Sequence, residues 1–118
     1  MNGVAIASPI LPGRLDEWIK FGRNLDEGPK HNDYAAFIKK SGLSRVRCWL
    51  QKGPGPDDAV GIILYEGENP AGFLQQIGTS QEPFAVWFHE RVKKNNGMDL
   101  AAMPKGPPPE LITDVSAA

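Results

Sequence analysis

A loop rich in proline and glycine near the middle of the chain, between two stretches typical of β-strands, most constrains how the sequence can fold. The loop G-P-G-P-D-D occupies residues 53–58 and has the composition of a turn. Residues 44–52 before it alternate between two sets of side chains, and residues 59–65 after it are rich in β-branched and aromatic side chains. We therefore predict a β-hairpin, around which the other elements must be arranged.

The rest of the chain is predicted to contain a strand at each end and two helical segments on each side of the hairpin. These assignments rest on apolar runs for the strands and on apolar residues at helical spacing for the helices. In chain order the elements are a strand at 3–8, helices at 14–26 and 32–41, the hairpin, a short helix at 70–77, a longer helix that ends at Asn96-Gly97, and a strand at 110–115. Three prolines before the last strand favour an edge position for it.

This order, β-αα-β-β-αα-β, is the split βαβ or ferredoxin-like pattern. We predict a single α+β domain over residues 1–118, in which a four-stranded antiparallel sheet carries helices on one face only. Residues 98–109 are interpreted as a connector to the last strand, because they are rich in Met, Pro and Gly. The open face of such a sheet needs a cover, and a second copy of the chain is the common solution.

Charge and cysteine content limit the partners and the compartment. The chain has 118 residues and a net charge of -1, and no basic patch stands out, so nucleic acid and membrane surfaces are not expected partners. Its single cysteine excludes an internal disulfide and fits a reducing, cytoplasmic location. The first residues lack the pattern of a signal peptide, and no transmembrane helix is predicted.

The strand predicted before the loop has two unlike faces, because successive side chains of a strand point to opposite sides. The side chains expected to point toward the core are those of Val46, Cys48 and Leu50. The set expected on the open side of the sheet contains Arg45, Arg47, Trp49 and Gln51. The core on the helix side is predicted to contain Val4, Ile6, Leu15, Trp18, Val46, Leu50, Ile62, Leu64, Phe84 and Phe88. Because Cys48 lies on the core-facing side of the predicted strand, it is expected to be a buried, inert thiol.

Two interpretations of the mixed set remain open. As a ligand-binding site, its arginines would hold a carboxylate or enolate oxygen, Trp49 would stack on a flat ligand and Gln51 would orient a polar group. Tyr65 and Glu66 join this candidate site, because Glu66 could close the mouth of the pocket opposite an arginine. A shift of one residue in the hairpin register would, however, change the face on which Glu66 lies. As an interface, the same strand would pack against a second copy of the chain.

A secondary candidate is His89, on the flank of the last predicted helix. It could act as a general base, because an imidazole titrates near neutral pH, or it could simply lie at the boundary between core and surface. The sequence shows no ligand spacing typical of a metal site and no phosphate-binding loop. We therefore predict no metal and no other cofactor, and we assign no catalytic residue.

Three stretches resemble a group of small bacterial proteins of unknown function, similar in pattern to the dimeric α+β barrel superfamily. They are S-P-I-L-P-G-R-L-D-E-W, R-V-R-C-W-L-Q and P-F-A-V-W-F-H-E-R-V-K-K-N-N-G-M-D-L, and the resemblance covers roughly residues 4–115. That superfamily includes cofactor-free monooxygenases of the antibiotic-biosynthesis type, haem-degrading enzymes and isomerases. The resemblance implies a homodimer with sheets packed back to back and with ligands bound between each sheet and its helices or within the barrel. No enzyme motif of the superfamily matches residue by residue, and neither His31 nor His89 matches a haem-binding motif.

The functional expectation that follows is a dimeric α+β barrel protein that binds a small organic or anionic ligand between sheet and helices. One alternative is a cofactor-independent enzyme of the monooxygenase or isomerase type. Such an enzyme would need a titratable group with a perturbed pKa inside the pocket. The other alternative is a structural or regulatory interaction module without a ligand, in which partner side chains fill the open sheet face.

Overall fold

A computed structural model describes residues 2–102 and 109–117, apart from the side chains of Asn2 and Ala71. Three strands and four α-helices follow one another in these residues. They are β1 (Asn2–Pro9), α1 (Leu15–Glu27), α2 (His31–Lys40), β2 (Leu43–Gln51), β3 (Val60–Gly67), α3 (Phe73–Thr79) and α4 (Pro83–Asn96). A short 3₁₀ turn at Pro70–Gly72 precedes α3, and a second one at Leu100–Ala102 follows α4. None of the helices in this described part is long and apolar enough to cross a membrane.

The three strands form one antiparallel sheet in the order β1-β3-β2, with β3 in the centre. The hairpin predicted around the proline-rich loop is confirmed, since β2 and β3 pair directly. Val46 lies opposite Tyr65 and Cys48 opposite Ile63, so these four side chains share the face that carries the helices. The general prediction of an α+β fold is therefore confirmed.

The predicted fourth strand is wrong. Residues 109–117 have no regular secondary structure, and the sheet of the described chain has three strands rather than four. Leu111, Ile112 and Val115 are 74%, 81% and 83% exposed. In a strand, Ile112 would share its face with Glu110 and Asp114, so only one face of the segment would be mainly apolar. The segment 98–109, predicted to be a plain connector, begins instead with a 3₁₀ turn in which Leu100 is buried. Residues 103–108 of this segment lie outside the described residues.

The core lies between the sheet and the helices and is largely aromatic. Phe84 and Phe88 of α4 are buried there, as the sequence predicts, and Phe88 contacts the ring of Phe21 from α1 at a centroid distance of 5.2 Å. The assignment of Ile62 and Leu64 to this core is wrong. They alternate with the core-facing residues of β3, and so they lie on the open face of the sheet.

Helix α1 is amphipathic but only loosely packed. None of its residues is buried, although its apolar side chains follow helical spacing. It approaches the sheet through Trp18, whose ring lies against Gly61 of β3. It approaches α4 through Phe21, whose ring contacts both Phe88 and Trp87. The apolar stripe of α1 therefore stands off from part of the sheet and leaves a space beneath it.

Candidate functional site

A cavity of about 660 Å³ occupies the space between the helix-bearing face of the sheet and the helices. Its floor is formed by sheet residues that include Ile6, Val46, Leu50 and Ile63. Its roof is formed by apolar residues of α1 and α2 that include Trp18, Phe21, Leu25 and Ile38. Volumes of about 300–1,000 Å³ with mainly apolar walls are typical of small-molecule sites.

The mouth of the cavity lies beside β2. Several residues that line the cavity are exposed, and they come from three elements that border this side: Arg23 and Asp26 of α1, His31 and Ala35 of α2, and Cys48 and Trp49 of β2. Because β2 is an edge strand, no further strand closes the opening within the described chain. The charged residues of the cavity are thus concentrated at its entrance, and the interior is mainly apolar.

Two tyrosines and a cysteine are the notable polar groups of the cavity. Tyr65 comes from β3 in the floor, Tyr34 from α2 in the roof and Cys48 from β2 at the mouth. Burial is the main cause that raises the pKa of both tyrosines above the ordinary value of 10.0, and each tyrosine is also coupled electrostatically to Cys48. The cavity therefore offers neutral hydroxyl groups at physiological pH.

Cys48 differs from its prediction in one respect. Its position on the helix-bearing face of the sheet is confirmed, but its side chain is exposed rather than buried. The surrounding protein still desolvates the thiolate enough to raise the pKa of Cys48 to about 11. The thiol thus stays protonated near neutral pH, and it makes a weak contact of 3.9 Å with the backbone oxygen of Trp49.

Neither tyrosine hydroxyl has a hydrogen-bond partner within residues 2–102 and 109–117. Both hydroxyl oxygens remain accessible to water from the cavity, so a ligand that displaced this water would have to replace it as their partner. Buried hydroxyls in folded proteins are nearly always hydrogen-bonded. Tyr34 and Tyr65 are therefore the groups of the cavity that are best placed to bind a polar atom of a ligand.

The residues that the sequence groups into one candidate site lie on two faces of the sheet. Tyr65 faces the helices and lines the cavity, whereas the other members lie on the open face: Arg45, Arg47, Trp49, Gln51 and Glu66. Arg47 and Trp49 also border the cavity mouth, because β2 forms one side of it. Arg45, Gln51 and Glu66 are not among the residues that line the cavity.

On the open face, Arg47 is held by its neighbours. Its guanidinium donates to Glu66 Oε1 at 2.8 Å and lies 5.5 Å from the ring centre of Trp49. Arg45 is opposite Glu66 in the register, but Glu66 pairs with Arg47, which is its diagonal neighbour on the same face. The arrangement leaves a largely apolar surface beside these charges, formed by Ala5, Ala7, Ile62, Leu64 and Trp49.

His89 of α4 is half-buried and is not among the residues that line the cavity. Its Nε2 atom is 2.9 Å from Asp99 Oδ1, which also accepts a hydrogen bond from the backbone N–H of Ala101. The Ala101 hydrogen bond and then His89 lower the pKa of Asp99 from 3.8. These contacts attach the segment after α4 to the helix, and this segment contributes Leu100 to the cavity wall.

Sequence reasoning missed the role of α1 and Tyr34 in the cavity. The apolar stripe of α1 was visible as a periodic pattern, but the pattern does not show whether the stripe packs against protein or lines a space. Among the described residues, no group of three or more histidine, cysteine or acidic side chains is placed to hold a metal ion.

Comparisons with protein-family models, with curated proteins and with solved structures find no match for this chain. The resemblance to the dimeric α+β barrel superfamily therefore stays a prediction.

Proposed function

We propose that the protein binds a small, largely apolar organic molecule in the cavity between the sheet, α1 and α2. The observation that carries this proposal is the apolar cavity of about 660 Å³, roofed by a helix that has no buried residue of its own. A ligand in this space would cover the apolar stripe of α1, whose exposure to water is otherwise unfavourable. The cytoplasmic location expected from the single cysteine is part of the same proposal.

A neutral ligand fits the cavity better than the anion expected from the arginines of β2. Arg45 and Arg47 point to the open face, and Arg47 is already paired with Glu66. The tyrosine hydroxyls inside the cavity carry no charge near neutral pH, because burial raises their pKa. A carboxylate buried beside them would lose its hydration without gaining a cation.

Titration with prodan, a neutral fluorescent naphthalene that carries a ketone, tests the proposal. We expect saturable binding with a shift of prodan emission to shorter wavelength, as in an apolar environment. Ala35 and Ala36 are neighbouring, exposed residues of α2, but only Ala35 lines the cavity. The substitution Ala35→Trp should fill the mouth and weaken prodan binding at least tenfold, whereas Ala36→Trp should leave it unchanged.

Two results would contradict the proposal. One is the absence of saturable binding to the folded wild-type protein. The other is an equal loss of affinity in both tryptophan variants, which would show that prodan binds to a surface outside the cavity. Far-ultraviolet circular dichroism of both variants provides the control for folding.

We further propose that a second copy of the chain covers the open face of the sheet. Trp49 is 48% exposed there, in the same row of the sheet as Ile62 and Ala7. A two-fold axis parallel to β3 would place β2 of one protomer against β1 of its partner. Trp49 would then lie over the partner's Ala7, so that the largest side chain of the face meets one of the smallest.

The charges of the open face are compatible with the same two-fold arrangement. Arg45 is exposed and forms no ion pair within the described chain, whereas Glu66 lies on the central strand close to the proposed axis. Gly3 stands in the same row as Glu66, so β1 presents no side chain that would obstruct Arg45 from the partner. Each Arg45 would thus approach the partner's Glu66, and the four arginines at positions 45 and 47 would surround two carboxylates.

A further inference from the structure

Tyr34 of α2 and Tyr65 of β3 line the cavity from its roof and its floor. The ring of Tyr65 packs against Phe73 of α3 at a centroid distance of 5.3 Å. The ring of Tyr34 stacks on Phe88 of α4 at 5.5 Å and contacts Phe84 at 5.8 Å. Because these rings are fixed by aromatic neighbours, the hydroxyls cannot swing away to find partners elsewhere in the protein.

The two hydroxyls also belong to one region of the cavity. Tyr34 is coupled electrostatically to Tyr65, and both are coupled to Cys48 at the mouth. Tyr65 is 5% exposed, and neither hydroxyl has a hydrogen-bond partner within the described chain. Two donors that line the same space without a protein acceptor need an acceptor from any molecule that displaces water from the cavity.

We propose that the ligand carries a neutral carbonyl oxygen that accepts a hydrogen bond from the hydroxyl of Tyr65, with Tyr34 as the second donor. This inference rests on the proposed function and names the class of ligand: an apolar ketone or aldehyde. A carbonyl oxygen has two lone pairs, so it can accept from both hydroxyls at once. A hydrocarbon of the same shape would fill the cavity but would leave both hydroxyls unpaired.

A carboxylate is a poorer match for the same two donors. Arg23 and Arg47 line the cavity at its mouth, where Arg23 is exposed and the guanidinium of Arg47 is paired with Glu66. Among the described residues, the cationic side chains that line the cavity lie at its mouth, so a charged oxygen deep in the cavity would meet hydroxyls and the cost of its desolvation would remain. Selectivity for a ketone over both the hydrocarbon and the carboxylate is the signature of this site.

Competition against bound prodan measures that selectivity with three naphthalenes of similar size. They are acetylnaphthalene, its isopropenyl analogue, in which a methylene replaces the oxygen, and naphthoate. In the wild-type protein we expect the ketone to bind about three- to tenfold tighter than the isopropenyl compound, which is the usual value of a neutral hydrogen bond. Naphthoate should bind more weakly than the ketone at neutral pH.

Tyr65→Phe and Tyr34→Phe assign the preference to individual hydroxyls while keeping the rings. Tyr65→Phe should abolish most of the preference for the ketone and leave the affinity for the isopropenyl compound within about twofold of wild type. Tyr34→Phe should reduce the preference to a smaller extent. The unchanged affinity for the isopropenyl compound shows in the same experiment that each variant retains its folded cavity.

The outcomes separate this inference from the proposed function. Equal affinity of the wild-type protein for the ketone and the isopropenyl compound would overturn the carbonyl assignment while leaving the binding function intact. Survival of the full preference in both phenylalanine variants, or tighter binding of naphthoate than of the ketone, would overturn it as well. Failure of every naphthalene, including prodan, to bind would overturn the proposed function itself.

Discussion

Trp18 lies so close to the backbone of Gly61 that a Cβ atom at residue 61 would be 2.5 Å from its Cζ2 atom. This contact sets how closely α1 approaches the central strand. Glycine is required here by the close approach of an aromatic ring, and β3 can carry no side chain at that point. The height of the cavity roof above the sheet therefore depends on this pair.

Gly61→Ala should destabilise the protein, because the added methyl group would force Trp18 and α1 away from β3. We expect a loss of about 1–3 kcal/mol in the free energy of unfolding, as for other overpacked sites. Urea denaturation followed by tryptophan fluorescence and circular dichroism measures this change. Gly22→Ala in α1 is the matched control, since a Cβ at residue 22 meets no atom within 4 Å.

The control should change stability in the opposite direction. Alanine is favoured over glycine inside a helix by about 0.5–1 kcal/mol, so Gly22→Ala should stabilise the protein slightly. If Gly61→Ala were as stable as the wild type, the ring of Trp18 would not be anchored on β3. The position of α1 above the cavity would then need another explanation.

Trp49→Glu should dissociate the proposed dimer, because it removes the largest apolar side chain of the open face and adds a charge there. We expect the wild-type chain to have twice its monomer mass of 12.9 kDa by light scattering after size-exclusion chromatography. Loss of a tryptophan that acts as an interface hot spot costs about 2 kcal/mol or more, so the variant should associate at least about 30-fold more weakly.

Val86→Glu is the matched control for the dimer experiment. Val86 lies on α4, on the helix side of the sheet, and its exposure of 44% is close to the 48% of Trp49. This variant should keep the mass of the wild-type protein. A wild-type protein that remains monomeric at high concentration would contradict the proposed dimer, as would a Trp49→Glu variant that remains fully dimeric.

Cys48 should react slowly with Ellman's reagent in the folded protein despite its exposure. Desolvation raises the pKa of the thiol from 9.0 to about 11, which lowers the thiolate fraction near neutral pH about a hundredfold. A more basic thiolate is also a better nucleophile, which offsets part of this effect. The net rate should therefore be about tenfold lower than in the urea-unfolded chain at the same pH.

The pH profile of this reaction checks the cause. In the folded protein the rate should continue to increase up to a pH of about 11, whereas in the unfolded chain it should level off above 9.0. A folded-state profile that levels off at the same pH as the unfolded chain would contradict a raised pKa. The thiol would then be fully hydrated at the mouth of the cavity.

Local sequence patterns predicted most of the individual elements. The hairpin around residues 53–58, both helices before it and the helix that ends at Asn96 are present. These predictions succeed because helix periodicity and turn composition depend on near neighbours in the chain. The prediction of a strand at residues 110–115 was wrong because strand pairing depends on the rest of the sheet. The weak alternation in that segment does not show whether the sheet offers a partner.

The site was harder to predict than the elements. Strand β3 is apolar on both faces, so its sequence does not show which side is buried, and Ile62 and Leu64 were assigned to the wrong one. The alternation of β2 did separate its two sets of side chains correctly. It did not reveal that the set containing Cys48 borders a cavity.

The hairpin, the helices and the separation of Cys48 from Arg47 and Trp49 follow from the sequence, because each depends on the chemistry of residues close together in the chain. The tertiary structure alone decided that α1 stands away from the sheet and that Tyr34 and Tyr65 face a common space. The packing of Trp18 on Gly61 and of Phe21 on Phe88, between residues far apart in sequence, sets the position of α1. Tyr34 is held by Phe88, and Tyr65 is held by Phe73. The physical reason is that a periodic pattern identifies which face of an element is apolar, whereas only packing decides whether that face meets protein or encloses a cavity.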